Sequence, residues 1–178
     1  TLFYIECAAW WFHIVGVFAF SIYVLYSKHF HIFIAFPNTY YTPLKQMGEL
    51  NNLEAVKKEV ELMMDPNVDP YAAPAEDAGP PQRFGAKDVT DLSWKNLMDA
   101  YSCTECGRCT LECPANQTGK LLSPRKIMMD TRDRLEEVGD DKRKNGADAD
   151  DGKSLLGDYI TKEELWACTT CNACVQAC

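Results

Sequence analysis

Two cysteine runs with the same spacing constrain this chain more than any other feature. Each run reads C-x2-C-x2-C-x3-C, and Pro114 follows the first; the members are Cys103, Cys106, Cys109 and Cys113, then Cys168, Cys171, Cys174 and Cys178. Upstream, Tyr101 and Trp166 each lie two residues before a first cysteine. Three thiolates spaced in this way wrap one cubane cluster, whereas the fourth, displaced and turned aside by proline, faces a neighbouring cluster. The spacing therefore predicts two [4Fe–4S] clusters that exchange their fourth ligands.

The exchange assigns each cysteine to one cluster. The first cluster takes Cys103, Cys106, Cys109 and Cys178, and the second takes Cys168, Cys171, Cys174 and Cys113. Structural zinc is the alternative metal, but zinc sites take pairs of C-x2-C, and a triple run leaves an odd ligand. Since the chain carries no secretory signal, metal ligation in a reducing compartment is favoured over a disulfide framework.

Helix signals surround both runs. Ser93 is a predicted N-cap before the first run, Thr161 and Glu164 form a predicted capping box before the second, and Ser123 precedes a further helix opened by proline. No hairpin signal flanks either run, so we predict a mainly α fold with an α-helical ferredoxin-like domain. The acidic stretch 139–152 lacks the EF-hand ligand pattern, and we expect a solvated loop there.

The N-terminal segment is apolar enough to span a membrane. Cys7–Tyr26 is a run of 20 residues in which His13 is one of only two strongly polar members. At about 1.5 Å per residue such a helix crosses a hydrocarbon core of about 30 Å. Lys28 indicates the cytoplasmic end of this transmembrane helix. We expect the apolar run Phe30–Phe36 to continue the helix until Pro37 ends it.

All three histidines of the chain lie in this segment. In one continuous helix, His13 and His31 project from the same face and His29 points away from it. Because an ionisable group within a membrane is costly, these imidazoles are candidate haem-iron ligands. The alternative is that His29 and His31 are interfacial residues and that His13 hydrogen-bonds to another helix. One helix cannot supply both axial ligands of a haem, so partner histidines must lie on other helices.

Composition divides the chain into three regions. We predict a transmembrane helix over 1–36, an amphipathic helix and proline-rich connector over 37–90, and the two-cluster domain over 91–178. Within the middle region, residues 49–64 carry an apolar stripe that we interpret as packing, and five prolines follow between Asp65 and Pro81. The net charge of −8 falls entirely after residue 36, which excludes an electrostatic footprint for nucleic acid.

Several short motifs resemble the membrane-bound iron–sulfur oxidoreductases related to the D-type subunit of heterodisulfide reductase. They are Phe84-Gly85-Ala86, Leu92-Ser93-Trp94, Tyr101 to Cys109, Cys113-Pro114-Ala115 and Thr118 to Pro124. In that family a haem b domain similar to the nitrate reductase gamma subunit precedes a helical ferredoxin domain. The resemblance implies that this chain, which begins with Thr and ends within a motif, is a fragment covering the last membrane helix and most of the ferredoxin domain. It also implies that His13 and His31 ligate haem b, with His29 as the alternative to His31.

The same resemblance implies an electron-transfer function. Electrons would pass between a cytoplasmic partner, such as an electron-transferring flavoprotein or an acyl-CoA dehydrogenase system, and membrane haem b and quinone. The chain would then be part of a quinone-linked oxidoreductase of the inner (cytoplasmic) membrane, with other transmembrane helices or subunits and with its cluster domain on the cytoplasmic side. The alternative is a heterodisulfide or thiol reductase whose catalytic cysteine-rich domain follows Cys178. No catalytic residue is predicted within the chain itself.

Overall fold

The computed structural model describes residues 2–45, 52–66 and 84–178, and within these ranges it contains helices and no strand. Nine α-helices follow one another in this described part: α1 Leu2–Leu25, α2 His31–Tyr40, α3 Glu54–Met64, α4 Trp94–Ser102, α5 Arg108–Leu111, α6 Pro114–Gln117, α7 Pro124–Asn145, α8 Lys162–Trp166 and α9 Ala173–Ala177. Short 3-10 turns cover Lys28–Phe30 and Val89–Asp91. The predicted mainly α fold is confirmed.

Helix α1 contains almost all of the predicted membrane span. Its 24 residues are long and apolar enough to cross a bilayer, and they extend the predicted helix at its N-terminal end. Only Val24 in this helix is buried. The other apolar side chains of α1 are largely uncovered by the rest of the described chain.

A break at Ser27 separates α1 from the histidines that follow. Ser27 has an extended backbone, and its side chain accepts a hydrogen bond from the backbone N–H of His29 at 3.3 Å. A serine that bonds local backbone groups competes with helix continuation. The expectation of one continuous helix is therefore wrong, and helical periodicity no longer places His13 and His31 on the same face.

Pro37 lies inside α2, which continues beyond it to Tyr40. Proline removes one helical hydrogen bond, but contacts with α4 hold the last turn in place. Lys95 Nζ donates to Asn38 Oδ1 at 2.7 Å, and the rings of Tyr41 and Trp94 meet edge to face at 5.0 Å. The prediction that the helix ends at Pro37 is wrong because this packing stabilises the turn that follows it. Helices α2 and α4 contact each other more extensively than any other pair of described elements.

Part of the middle region lies outside the described residues. The amphipathic helix predicted over 49–64 is present as α3, while 49–51 and most of the proline-rich connector fall in the gaps. The apolar stripe of α3 is solvent-exposed in the described chain, so its interpretation as packing is not supported there; it consists of Leu53, Val56, Val60, Met63 and Met64.

A small apolar core lies against α4 and α7. Val89, Leu155 and Ile160 are buried together, and side chains of α4 and α7 pack on them. Val89 belongs to the predicted connector, so the packed region begins before residue 91. A second buried group, made of Cys113, Ala115 and Leu122, lies beside the first cysteine run.

The predicted helix starts agree with the observed caps. Ser93 Oγ accepts from the N–H of Asn96 at 3.2 Å, and Ser123 Oγ accepts from the N–H of Lys126 at 3.4 Å. Thr161 and Glu164 form the reciprocal capping box, with N···O distances of 2.8 and 3.2 Å. These caps set where the helices beside each cysteine loop begin.

Arg134 joins α7 to two segments that are distant in sequence, one at Asp88 and one at Asp151 to Lys153. Its guanidinium is 2% exposed and donates to Asp88 at 2.9 and 3.1 Å, to Asp151, and to the carbonyl of Lys153 at 2.8 Å. The expectation of a solvated loop over 139–152 is confirmed for 146–152, which is non-helical and mostly exposed, and is wrong for 139–145, because α7 continues to Asn145. Asp151 of this loop pairs with the buried arginine.

Candidate metal centre

The eight motif cysteines lie on short loops that lead into short helices. The first run starts after α4 and passes through α5 to the start of α6, and the second starts after α8 and passes through α9. Cys113 is buried, Cys103, Cys109 and Cys174 are partly buried, and the rest are exposed: Cys106, Cys168, Cys171 and Cys178. All eight are free thiols, as metal ligation requires.

The two loops share an unusual backbone conformation. Glu105 and Thr170, 65 residues apart, have φ of 60° and 53°, and Gly107 and Asn172, also 65 apart, have φ of 80° and 61°. Among the described residues, the only non-glycine positions with positive φ are Glu105, Thr170 and Asn172. Such a conformation costs on the order of 1–3 kcal/mol per residue, most clearly for β-branched Thr170, and it concentrates at functional sites.

This alternating backbone turns N–H groups toward the sulfur atoms. Concavities of successive N–H groups bind anions, including those of iron–sulfur sites. The N–H of Thr170 donates to Cys168 Sγ at 3.4 Å. The backbone N–H of Ala173 lowers the pKa of the Cys171 thiol. At Cys171 this donor stabilises the thiolate, which is the form that ligates iron.

Arg108 gives the first loop a cation that the second lacks. Its Nε donates to Cys106 Sγ at 3.4 Å, and this bond lowers the pKa of the Cys106 thiol. At the equivalent position of the second motif, 65 residues on, stands Ala173. The sequence repeat could have revealed this difference, but only the structure shows the contact with sulfur.

Helices α5 and α9 pack against each other, which brings the two runs together. Burial raises the pKa of the Cys178 thiol, and three nearby thiolates raise it further: Cys103, Cys109 and Cys106. Burial likewise raises the pKa of Cys174, with further contributions from Cys168 and Cys113. The end of each run therefore lies near the other run.

The cysteines are spaced more widely than the ligands of a single ion. No three His, Cys, Asp or Glu side chains in the described part of the chain converge closely enough to hold one metal ion. A cubane binds each thiolate at a different iron, so its ligands stand farther apart than those of a tetrahedral zinc. The open arrangement of the loops fits the larger group.

Helix α7 supports both loops through side-chain contacts. Arg132 pairs with Glu105 of the first loop at 2.9 Å. Lys126 pairs with Glu164 of α8 at 3.1 Å and donates to the carbonyl of Tyr159 at 2.9 Å. These contacts connect α7 to the elements that precede and contain the cysteines. Neither α7 arginine, Arg132 or Arg134, was identified as a site residue by sequence reasoning, because their partners are distant in sequence.

The three histidines have different surroundings. His13 is exposed on α1 and lines a shallow groove in which its neighbours Ala9 and Gly16 are small. His31 Nδ1 lies 2.7 Å from the carbonyl oxygen of Lys28, and the His29 ring lies 6.3 Å from that of Tyr23. The structure does not bring His13 together with either of the other two.

Residues 102–178 match the family described as the 4Fe-4S dicluster domain, and this domain is present in the chain. The chain is 31% identical to "Probable iron-sulfur-binding oxidoreductase FadF" of Bacillus subtilis, over 100% of this chain and 26% of the relative. It is 29% identical to the "EtfAB:quinone oxidoreductase" of Syntrophomonas wolfei, over 95% of this chain and 23% of the relative. A "Probable membrane-anchored ferredoxin" of Chromohalobacter salexigens is 31% identical over 58% of this chain and 17% of its own length.

The names of these relatives are those of two oxidoreductases and a ferredoxin, which supports a redox role for the chain. The chain spans about a quarter of the length of the first two. No solved structure matches it.

Proposed function

We propose that this chain carries single electrons through two [4Fe–4S] clusters, between a flavoprotein partner at the cytoplasmic face of the inner membrane and haem b and quinone within it. The repeated loop, with left-handed backbone at matching positions and N–H groups directed at sulfur, is the observation that carries the proposal. Each cluster, when bound, supplies a site that takes up and releases one electron.

The proposed ligand sets cross between the two motifs. Cys103, Cys106, Cys109 and Cys178 hold the first cluster, and Cys168, Cys171, Cys174 and Cys113 hold the second. The thiolates that raise the pKa of Cys178 belong to the first run, and Cys113 acts on Cys174 of the second, which supports both sets. The packing of α5 on α9 supports the same crossing.

Helix α1 is proposed to span the membrane, and His13 and His31 to ligate haem b. A metal-bound histidine usually donates its other ring nitrogen to a carbonyl or carboxylate. The contact of His31 Nδ1 with the carbonyl of Lys28 fits that pattern, leaves Nε2 for iron, and favours His31 over His29. The small side chains of Ala9 and Gly16 leave room for a flat group beside His13.

The packing of α2 on α4 supports a short path from the first cluster to the membrane. The end of α2 contacts the start of α4 through Asn38 and Lys95, and the two helices pack on each other, from which we infer an antiparallel pair. His31 begins α2, and Cys103 directly follows α4. An antiparallel pair brings those two residues to the same end, so we propose the first cluster as the one nearer the haem.

The flavoprotein and the quinone are proposed from the name of one relative. The protein of Syntrophomonas wolfei is called an EtfAB:quinone oxidoreductase, and the match covers 95% of this chain. The reacting sites for both partners would lie in parts of the full protein other than this segment. The residues present here bind cofactors and set the distance and order between them.

Spectroscopy of the membrane-extracted full-length protein tests the relay. We expect reduction by dithionite to produce the EPR signals of two reduced clusters, and a pyridine haemochrome assay to detect haem b. Replacement H31A should remove one haem, whereas H29A should leave the haem content unchanged. Iron–sulfur signals without any haem would reject the membrane half of the proposal and leave a membrane-tethered ferredoxin.

A further inference from the structure

We propose that Arg108 raises the reduction potential of the first cluster above that of the second. The inference rests on the ligand sets proposed above. The two motifs share their cysteine spacing and their left-handed backbone positions, but they differ at Arg108. Arg108 places a positive charge against a cluster ligand.

The difference begins with one hydrogen bond. Arg108 Nε donates to Cys106 Sγ at 3.4 Å, so a guanidinium lies directly against a ligand of the first cluster. Ala173 occupies the matching place, and its side chain is only a methyl group, so Cys171 has a backbone N–H but no cationic side chain beside it. The side chains therefore provide a cationic donor to sulfur at one cluster and not at the matching position of the other.

The remaining charges of the loops do not cancel this difference. Glu105 is also present only in the first loop, but Arg132 neutralises it through an ion pair of 2.9 Å. Its counterpart Thr170 is uncharged. Glu112 precedes Cys113, the ligand that the first run gives to the second cluster, whereas Ala177 precedes Cys178. A negative charge at that place acts on the second cluster and widens the difference.

The sign of the effect follows from charge. Reduction by one electron adds one negative charge to the cluster and its thiolates. A cation and an N–H donor at a ligand sulfur stabilise that reduced form, which raises the reduction potential. Because Arg108 is solvent-exposed, water and salt screen its charge over distance, and the direct bond to sulfur transmits most of the effect to one cluster only.

When the two reduction potentials differ, a single electron occupies the cluster with the higher potential. A single electron then resides on the first cluster, the one proposed to lie nearer the membrane. The second cluster becomes the entry or exit point toward the soluble partner. The order of the two potentials thus follows the order of the two clusters along the path.

An EPR-monitored redox titration of the full-length protein tests the inference. In R108Q we expect the higher of the two potentials to become more negative while the lower one stays in place. In A173R, which places an arginine at the matching position of the second motif, the lower potential should become more positive. R143Q is the matched control, since Arg143 is an exposed arginine on α7 paired with Asp140 at 2.8 Å, and it should change neither potential.

Three results would overturn the role of Arg108. In R108Q, both potentials could stay unchanged, or the lower potential could shift alone or as much as the higher one. The third result is a shift in R143Q as large as that in R108Q. If R108Q fails to retain iron, A173R decides, and an unchanged lower potential rejects the inference. If the wild-type protein does not contain two clusters, the proposed function is rejected. If it contains two clusters whose potentials change in neither R108Q nor A173R, only this inference is rejected.

Discussion

Replacing Arg134 with methionine should destabilise the protein far more than replacing an exposed arginine of the same helix. The guanidinium is 2% exposed and pairs with two carboxylates, Asp88 and Asp151, whose side chains are 17% and 20% exposed. Removing one member of a buried ion pair typically costs about 3–5 kcal/mol, because the remaining charges lose their partner. Since the two carboxylates are partly exposed to solvent, we expect R134M to lower the free energy of unfolding by about 3 kcal/mol, the lower end of that range.

The control is an arginine of the same helix with an exposed partner. Arg143 and Asp140 form an ion pair whose side chains are 73% and 58% exposed, and such surface pairs contribute about 1 kcal/mol or less. Free energies of unfolding for R134M and R143M would be obtained by urea titration of the anaerobic, detergent-solubilised protein, followed by helical circular dichroism. The triple variant R134M/D88N/D151N should regain part of the loss, because residues 88 and 151 are then uncharged and Glu137, which lies 3.7 Å from Arg134, keeps its ion pair with Lys153.

Equal destabilisation in R134M and R143M would refute the role assigned to the buried arginine. So would a triple variant no more stable than R134M alone. Either result would mean that the arrangement around Arg134 contributes little to the fold that holds the cysteine loops.

Two further predictions concern acid stability and loop conformation. Arg134 lowers the pKa of Asp151 from 3.8 to about 2. The stability that this carboxylate contributes is therefore complete above about pH 4 and is lost as the pH falls toward 2. The stability of D151N should depend less steeply on pH across that window, and an acid-unfolding curve identical to that of the wild type would contradict this. Gly107 has φ of 80° whereas Gly139 lies in the regular part of α7. G107A should therefore lower the free energy of unfolding by about 1–2 kcal/mol, and G139A should raise it by about 0.5–1 kcal/mol. Urea unfolding in which both substitutions change the stability in the same direction would contradict the left-handed conformation assigned to Gly107.

The sequence predicted the cofactor type and the helical setting because both depend on local patterns. Cysteine spacing identified the cluster domain, and the caps at Ser93, Ser123 and Thr161 were read from adjacent residues. Errors arose where tertiary contacts outweighed a local rule. Packing of α2 on α4 carried the helix past Pro37, and the side-chain bond of Ser27 interrupted a segment that hydropathy reads as continuous.

Long-range pairs left no signal in the sequence. Arg134 meets Asp88 46 residues away, and nothing in either neighbourhood indicates the partner. The difference between Arg108 and Ala173 is visible in the repeat, but its meaning depends on the direction of a side chain toward sulfur. The left-handed positions at Glu105, Thr170 and Asn172 could not be read from the sequence, because glycine adopts a positive φ without steric cost and none of these three residues is glycine.

Mössbauer spectroscopy with iron and zinc determination on the anaerobically purified full-length protein identifies the metal and the cluster type. We expect about eight non-haem irons per chain in two cubane clusters. With crossed ligands, C178S should alter the same cluster as C109S, and C113S should alter the same cluster as C174S. About four irons in total, zinc in place of iron, or a C113S variant that alters the same cluster as C109S would contradict the two-cluster site with crossed ligands.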